Sequence, residues 1–152
     1  MLMKRVIVAL VAVALCVSAW GQTKVYRLTE TGWGRIGETY KQSVLADWVV
    51  SDIAIHKWKK ATGTFTVNFD KREAVLTQRG KADKTFNLLT EGSPKETRDG
   101  WTYVEYMALD GHNSVCHFWL CKHESGAERL LTLYPWTVPT AAYGYLLTPE
   151  QE

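Results

Sequence analysis

After Ala46 the apolar side chains of this chain recur at every second position, a spacing that excludes helix for most of its length. A strand sends successive side chains to opposite faces, so a period of two assigns one face to burial. Phe65-Thr66-Val67-Asn68-Phe69 carries the pattern most plainly. The polar turn Asp70-Lys71-Arg72-Glu73 follows, and Ala74-Val75-Leu76-Thr77 answers it. The pair predicts a hairpin. Further strands are expected over residues 49–55, 85–90, 101–109, 114–122, 129–134 and 142–147, separated by clusters of Gly, Pro, Asp or Ser. Short strands with turns at this spacing predict an all-β fold, an antiparallel meander forming a small barrel or a curved sandwich. Residues 25–45 carry a weaker signal, since Gly32, Gly34 and Gly37 interrupt it and residues 38–47 suit one short N-terminal helix.

Ahead of this domain stand Lys4 and Arg5, an unbroken apolar run over residues 6–17, and then Ala19-Trp20-Gly21. A basic start, a short apolar middle and small residues three and one positions before Gln22 predict a secretory signal peptide over residues 1–21. Residues 22–152 then form a single β domain, with no internal repeat, low-complexity tract or linker, and the expected location is a periplasm or the exterior. A dozen apolar residues fall short of the roughly 20 that a spanning helix needs, and no later segment approaches that length, so no membrane span is expected. The whole chain has 18 basic and 16 acidic residues. The signal removes Lys4 and Arg5, which leaves the mature domain without net charge. Electrostatic attraction to a phosphate backbone loses its basis, and nucleic acid is not an expected partner.

Turn positions extend the register through the last third. A two- or four-residue loop centred on Asp110-Gly111-His112-Asn113 sets Leu109 opposite Ser114, Met107 opposite Cys116, Glu105 opposite Phe118 and Tyr103 opposite Leu120. The turn at Ser125-Gly126 likewise sets Leu120 opposite Leu131 and Phe118 opposite Leu133. One face then collects Tyr103, Met107, Cys116, Phe118, Leu120, Leu131 and Leu133 as the expected core, at about 1.5–3 kcal/mol for each fully buried large side chain. The opposite face carries Val104, Tyr106, Val115, His117, Trp119, Cys121, Leu130 and Tyr134, too apolar for plain solvation. Either the strands are covered on both sides, by the N-terminal segment or the Pro135-Trp136 stretch, or the second face binds something.

Export permits disulfides, yet Cys116 and Cys121 stand five residues apart on one strand. At about 3.3 Å per residue their Cα atoms lie roughly 16 Å apart on opposite faces, beyond disulfide reach, so free thiols are expected. His117, Cys121 and His123 share a face and are the residues for a metal site or a hydrolase, one alternative reading. His117 lies about 13 Å from Cys121 along an extended strand, and CxxC and HExxH are both absent, so no cofactor is expected. Glu105 is the odd member of the predicted core face. Inside an apolar interior its carboxyl needs a partner or a raised pKa, a circumstance enriched at functional sites; at a barrel mouth, or turned outward by a bulge, it is an ordinary rim charge. Gly-x-Ser-x-Gly is absent, and Gly32-Trp33-Gly34 lacks the lysine and helix of a phosphate loop.

Residues 64–147, with the acidic turn at Asp70, the strand start Asp99-Gly100-Trp101-Thr102-Tyr103 and the Asp110-Gly111 hairpin, resemble small exported bacterial proteins of lipocalin-like β-barrel form and unassigned function. The Gly-x-Trp opening of a lipocalin barrel is not present as such, because Trp33 directly follows Gly32. The resemblance implies a barrel or half-barrel with room for an inner cavity, and it brings no catalytic residues. The expected function is non-enzymatic binding of a small apolar or glycan-like ligand or of a protein partner. Trp101, Tyr103 and Glu105 are the contacts if the ligand enters the barrel, and Trp119, Tyr106 and Tyr134 if it sits outside. A structural or inhibitory interaction protein is the other alternative; the sequence leaves the oligomeric state open.

Overall fold

The alternation is realised, in a computed structural model that describes residues 23–36, 55–137 and 140–150, as antiparallel strands in a meander. They are β1 (Thr23–Ile36), β2 (His56–Asn68), β3 (Glu73–Gln78), β4 (Lys84–Glu91), β5 (Lys95–Glu96), β6 (Trp101–Asp110), β7 (Val115–His123), β8 (Glu128–Tyr134) and β9 (Thr140–Pro149). The signal peptide expected over 1–21, most of the strand expected over 49–55 and the helix expected over 38–47 lie outside the described residues. No described residue is helical, so no helix there is long and apolar enough to cross a membrane.

Strands pair in the order β4-β3-β2-β1-β9-β8-β7-β6, and β4 pairs β6 to close the ring. Eight strands make a closed barrel, and the two-residue β5 adds to β6 outside it. Closure leaves none of the eight with an unpaired edge. This is the small antiparallel barrel that the alternation predicts. The glycines of β1 do not break it: the strand runs through Gly32 and Gly34 to Ile36.

The hairpin β2–β3 forms as expected, with Phe65 opposite Leu76 and Val67 opposite Ala74. Its turn begins one residue early, at Phe69, and Glu73 opens β3. Gly63 is required by proximity, since a Cβ there would collide with the carbonyl oxygen of Thr77 on the paired strand.

The two later hairpins correct the predicted register by one residue. Tyr106 lies opposite Phe118, Ala108 opposite Cys116 and Glu105 opposite Trp119, while Leu120 faces Leu130 and Phe118 faces Thr132. Both loops hold three residues instead of two or four. In the first, Asn113 N–H donates to Asp110 O at 3.0 Å and Asn113 takes φ 59°. In the second, Gly126 N–H donates to His123 O at 2.9 Å with Gly126 at φ 96°. Each is a tight turn closed by a left-handed residue, the three-residue hairpin geometry, and its odd length reverses the face of every residue beyond it. Asp110 reinforces the first loop by accepting at Oδ1 from the His112 and Ser114 amides, both at 2.9 Å.

Consequently Tyr103 and Met107 do not share a face with Phe118, nor do Leu131 and Leu133. The barrel interior holds Leu28, Phe65, Val67, Leu76, Phe86, Tyr106, Phe118 and Leu130. Phe118 is its centre, with ring centroids 5.2 Å from Phe86, 6.0 Å from Phe65 and 6.1 Å from Tyr106. A second apolar layer lies on the outside of the β6–β9 side, where Trp101, Tyr103, Trp119, Cys121, Leu131 and Leu133 meet Ile36, Ile55, Ala142 and Trp58. β8 is therefore buried on both faces over residues 129–133. Of the covers considered from sequence, the N-terminal segment contributes Ile36 from β1; Ile55 and Trp58 come from around the start of β2, a cover the sequence reading did not name. These side chains fit because Gly32 and Gly144 lie beneath them; a Cβ on either glycine would come within 2.7 Å of the Trp58 ring. A bulge at Thr29 lets β1 serve both layers, turning Tyr26 and Leu28 into the barrel and Ile36 into the outer layer.

Candidate functional site

The barrel interior is filled in its middle and open at one end. The open end is bounded by the β2–β3 turn, the first residues of β1 and β8, and the last residues of β4, β7 and β9. There the interior face of the strands encloses a cavity of about 760 Å³. Tyr26, Leu88, Val104, Tyr106, Leu120 and Leu147 wall it, each placed by the alternation of its strand. Phe69, carried into the turn by the early start of the loop, closes part of the rim. Charged residues stand around it: Lys24, Arg72 and Lys122 among the cations, Asp70, Glu91 and Glu128 among the acids.

Three polar groups sit on the wall itself. Tyr106 donates its hydroxyl to Glu91 Oε1 at 3.4 Å, and burial, followed by the Glu91 charge, pushes its pKa up to about 12. Tyr26 is likewise pushed up to about 12, first by burial and then by the Glu128 charge. Glu128 is half-buried, and its Oε2 is closed to solvent with no hydrogen-bond partner. Burial raises its pKa above the ordinary glutamate value, against the opposing pull of Lys122 and Lys24.

Of the six residues nominated from sequence, the one-residue correction moves Tyr106 into the cavity wall and takes Trp101, Tyr103 and Glu105 out of the barrel. Tyr134 also faces inward, at the far end, where its hydroxyl donates to Asp110 Oδ2 at 3.1 Å. Trp119 stays outside. Tyr103 and Trp119 stack at 4.8 Å in the outer layer, and the Arg129 guanidinium lies 4.2 Å over Trp101. Glu105 has the partners that a half-exposed acid needs: the Trp119 indole N–H donates to Oε2 at 2.6 Å, and His117 Nδ1 lies 3.4 Å from Oε1. It is turned outward by the register of the three-residue loop, not by a bulge, and its partners are Trp119 and His117.

Sequence reasoning missed Tyr26, Leu88, Leu147 and Glu128 as wall residues and placed Val104 on the outside. One signal was legible in advance: Gly126 at the third position of Glu124-Ser125-Gly126 suits a three-residue loop, which alone brings Glu128 and Leu130 inward. Nothing in the sequence of Tyr26 or Leu88 marks them as cavity residues. The far end of the barrel carries a different feature, exposed aromatic rings at Trp33, Tyr143 and Trp136.

His117, Cys121 and His123 do not converge. Among the described residues no three His, Cys, Asp or Glu side chains gather in a metal-binding group. His123 has both ring nitrogens engaged: Nδ1 accepts from the Ser125 amide at 3.1 Å, which leaves Nε2–H to donate to Asp99 O at 2.8 Å. Cys116 and Cys121 are both free and buried, one in the barrel and one in the outer layer. Burial pushes the Cys116 thiol up to about 12 and raises Cys121 as well. On residues 22–152 we therefore expect almost no reaction with a thiol reagent in mildly alkaline buffer, and full titration of both cysteines in guanidinium. Fast labelling of the folded protein would contradict this placement.

No protein-family model, no curated protein and no solved structure matches this chain.

Proposed function

We propose that this chain is a non-enzymatic binding module that takes a small apolar or amphipathic ligand into the open end of its barrel, outside the cytoplasm. The cavity of about 760 Å³ carries the reading. Its size falls in the range of small-molecule sites, roughly 300–1,000 Å³, and its wall is mostly hydrocarbon with a few polar groups. A closed barrel filled in the middle and open at one end holds such a wall rigid without a ligand, so little ordering cost opposes binding. Tyr26, Leu88, Val104, Tyr106, Leu120 and Leu147 offer sugar hydroxyls few partners, which favours an apolar body over a glycan. Export rests on residues 1–21, and the lipocalin-like resemblance agrees with a ligand held in the barrel.

Titration with the neutral dye N-phenyl-1-naphthylamine tests this. The dye is expected to brighten and shift to the blue on binding, and Val104→Trp, which fills the wall, to weaken it about tenfold or more while the circular dichroism spectrum is kept. Absence of binding, or equal binding by the folded variant, would refute the proposal.

A further inference from the structure

Glu128 lies deeper than the other acids of the cavity, and this difference bears on the chemistry of the ligand's head. Lys24, Asp70, Arg72, Glu91 and Lys122 are all exposed at the rim. Arg72 directs Nη1 to Leu89 O at 3.3 Å, and the buried Arg129, which also borders the cavity, turns its guanidinium over Trp101 on the outer layer. Below the rim the few acceptors of the wall are the Glu128 carboxylate and the Tyr26 and Tyr106 hydroxyls. Glu128 is brought inward by the odd β7–β8 loop, pairing Lys122 on one side and Leu147 on the other. Its carboxylate has one oxygen shut from water and unpartnered, beside Tyr26, whose phenol stays protonated at neutral pH. Tyr106, also buried, turns its hydroxyl up to the exposed Glu91. A carboxylate with one oxygen shut from water gains more from a cation than a fully exposed one does, because part of the stabilisation that water normally supplies is lost.

Resting on the cavity reading above, we infer that the preferred ligand is an apolar molecule ending in an alkylammonium, its tail among Leu88, Val104, Leu120 and Leu147 and its head on the Glu128 carboxylate between the Tyr26 and Tyr106 rings. An ammonium is donor-only and meets the Glu128 carboxylate as an opposite charge, and the tyrosine ring faces add cation–π attraction. A carboxylate head would face Glu128 as a like charge, and a neutral alcohol would add nothing to the partial compensation that Lys122 and Lys24 give it from the rim.

Competition against bound N-phenyl-1-naphthylamine at neutral pH compares octylamine, octanol and octanoate, which share one tail. Octylamine is expected to displace the dye at about one-tenth the concentration of the other two, and Glu128→Gln to bring octylamine level with octanol while octanol itself is unchanged. The wild-type ranking decides the matter even if Glu128→Gln does not fold. Octanoate or octanol ranking first or equal, or an amine preference that survives Glu128→Gln, overturns the head-group assignment and leaves the cavity reading standing. Failure of the dye to bind at all overturns both.

Discussion

Phe118→Ala is expected to destabilise the domain by about 3–5 kcal/mol and to lower its Tm by roughly 10–20 °C. Phe118 is fully buried and packs against Phe65, Phe86 and Tyr106, aromatic residues from three other strands of the barrel. Truncation removes its own burial and leaves a void that a closed ring of hydrogen-bonded strands cannot collapse to fill. Phe118→Leu, which keeps much of the volume, is expected to cost clearly less. Urea titration of the three proteins measures this. A Phe118→Ala loss below about 1 kcal/mol would mean that the ring is not at the centre of the interior.

Gly63→Ala is expected to cost about 1–3 kcal/mol or more, a large effect for one methyl group. The added carbon meets a backbone carbonyl, Thr77 O, which cannot rotate away as a side chain end could. Relief requires the β2–β3 pairing to open at its outer end, where Arg79 N–H donates to Thr62 O at 2.8 Å. Amide exchange should therefore show Arg79 losing protection while the Phe65–Leu76 region keeps it. A change within about 0.5 kcal/mol, with Arg79 still protected, would show that the strands are farther apart than described.

The strands were legible because period-two burial is a local property. β2, β3 and β4 follow it cleanly, with Phe65, Val67, Ala74, Leu76, Phe86 and Leu88 inward and mainly polar side chains outward. The same rule was ambiguous in β7 and β8, where both faces are apolar, since alternation cannot say which of two buried faces is the interior. Register there depended on loop length, and the three-residue loops ending in Asn113 and Gly126 reversed the assignment of Tyr103, Glu105 and Tyr106 together. The free cysteines survived that error, because their separation along one strand does not depend on which face is inside.

The candidate site was less legible for a related reason. A cavity wall is built from residues distant in the chain, here from β1, β4, β6, β7, β8 and β9, and none of Tyr26, Leu88 or Leu147 differs in type from a core residue. Aromatic content drew attention to Trp101 and Trp119, which pack in the outer layer instead. Glu105 and Glu128 illustrate the exchange. Glu105, on the face that alternation alone assigns to the core, meets an indole donor outside, and Glu128, with no distinguishing neighbours in sequence, lines the mouth.

By itself the sequence determined which residues extend as strands, where most turns fall and that the two thiols are kept apart, since each follows from side-chain spacing along one segment. Only the tertiary structure decided which face of β6–β9 looks into the barrel, that Ile55 and Trp58 cover the other, and that the interior stops short of one end. Those outcomes depend on closing eight strands into a ring, where a single residue of register carries every side chain on a strand to the opposite surface.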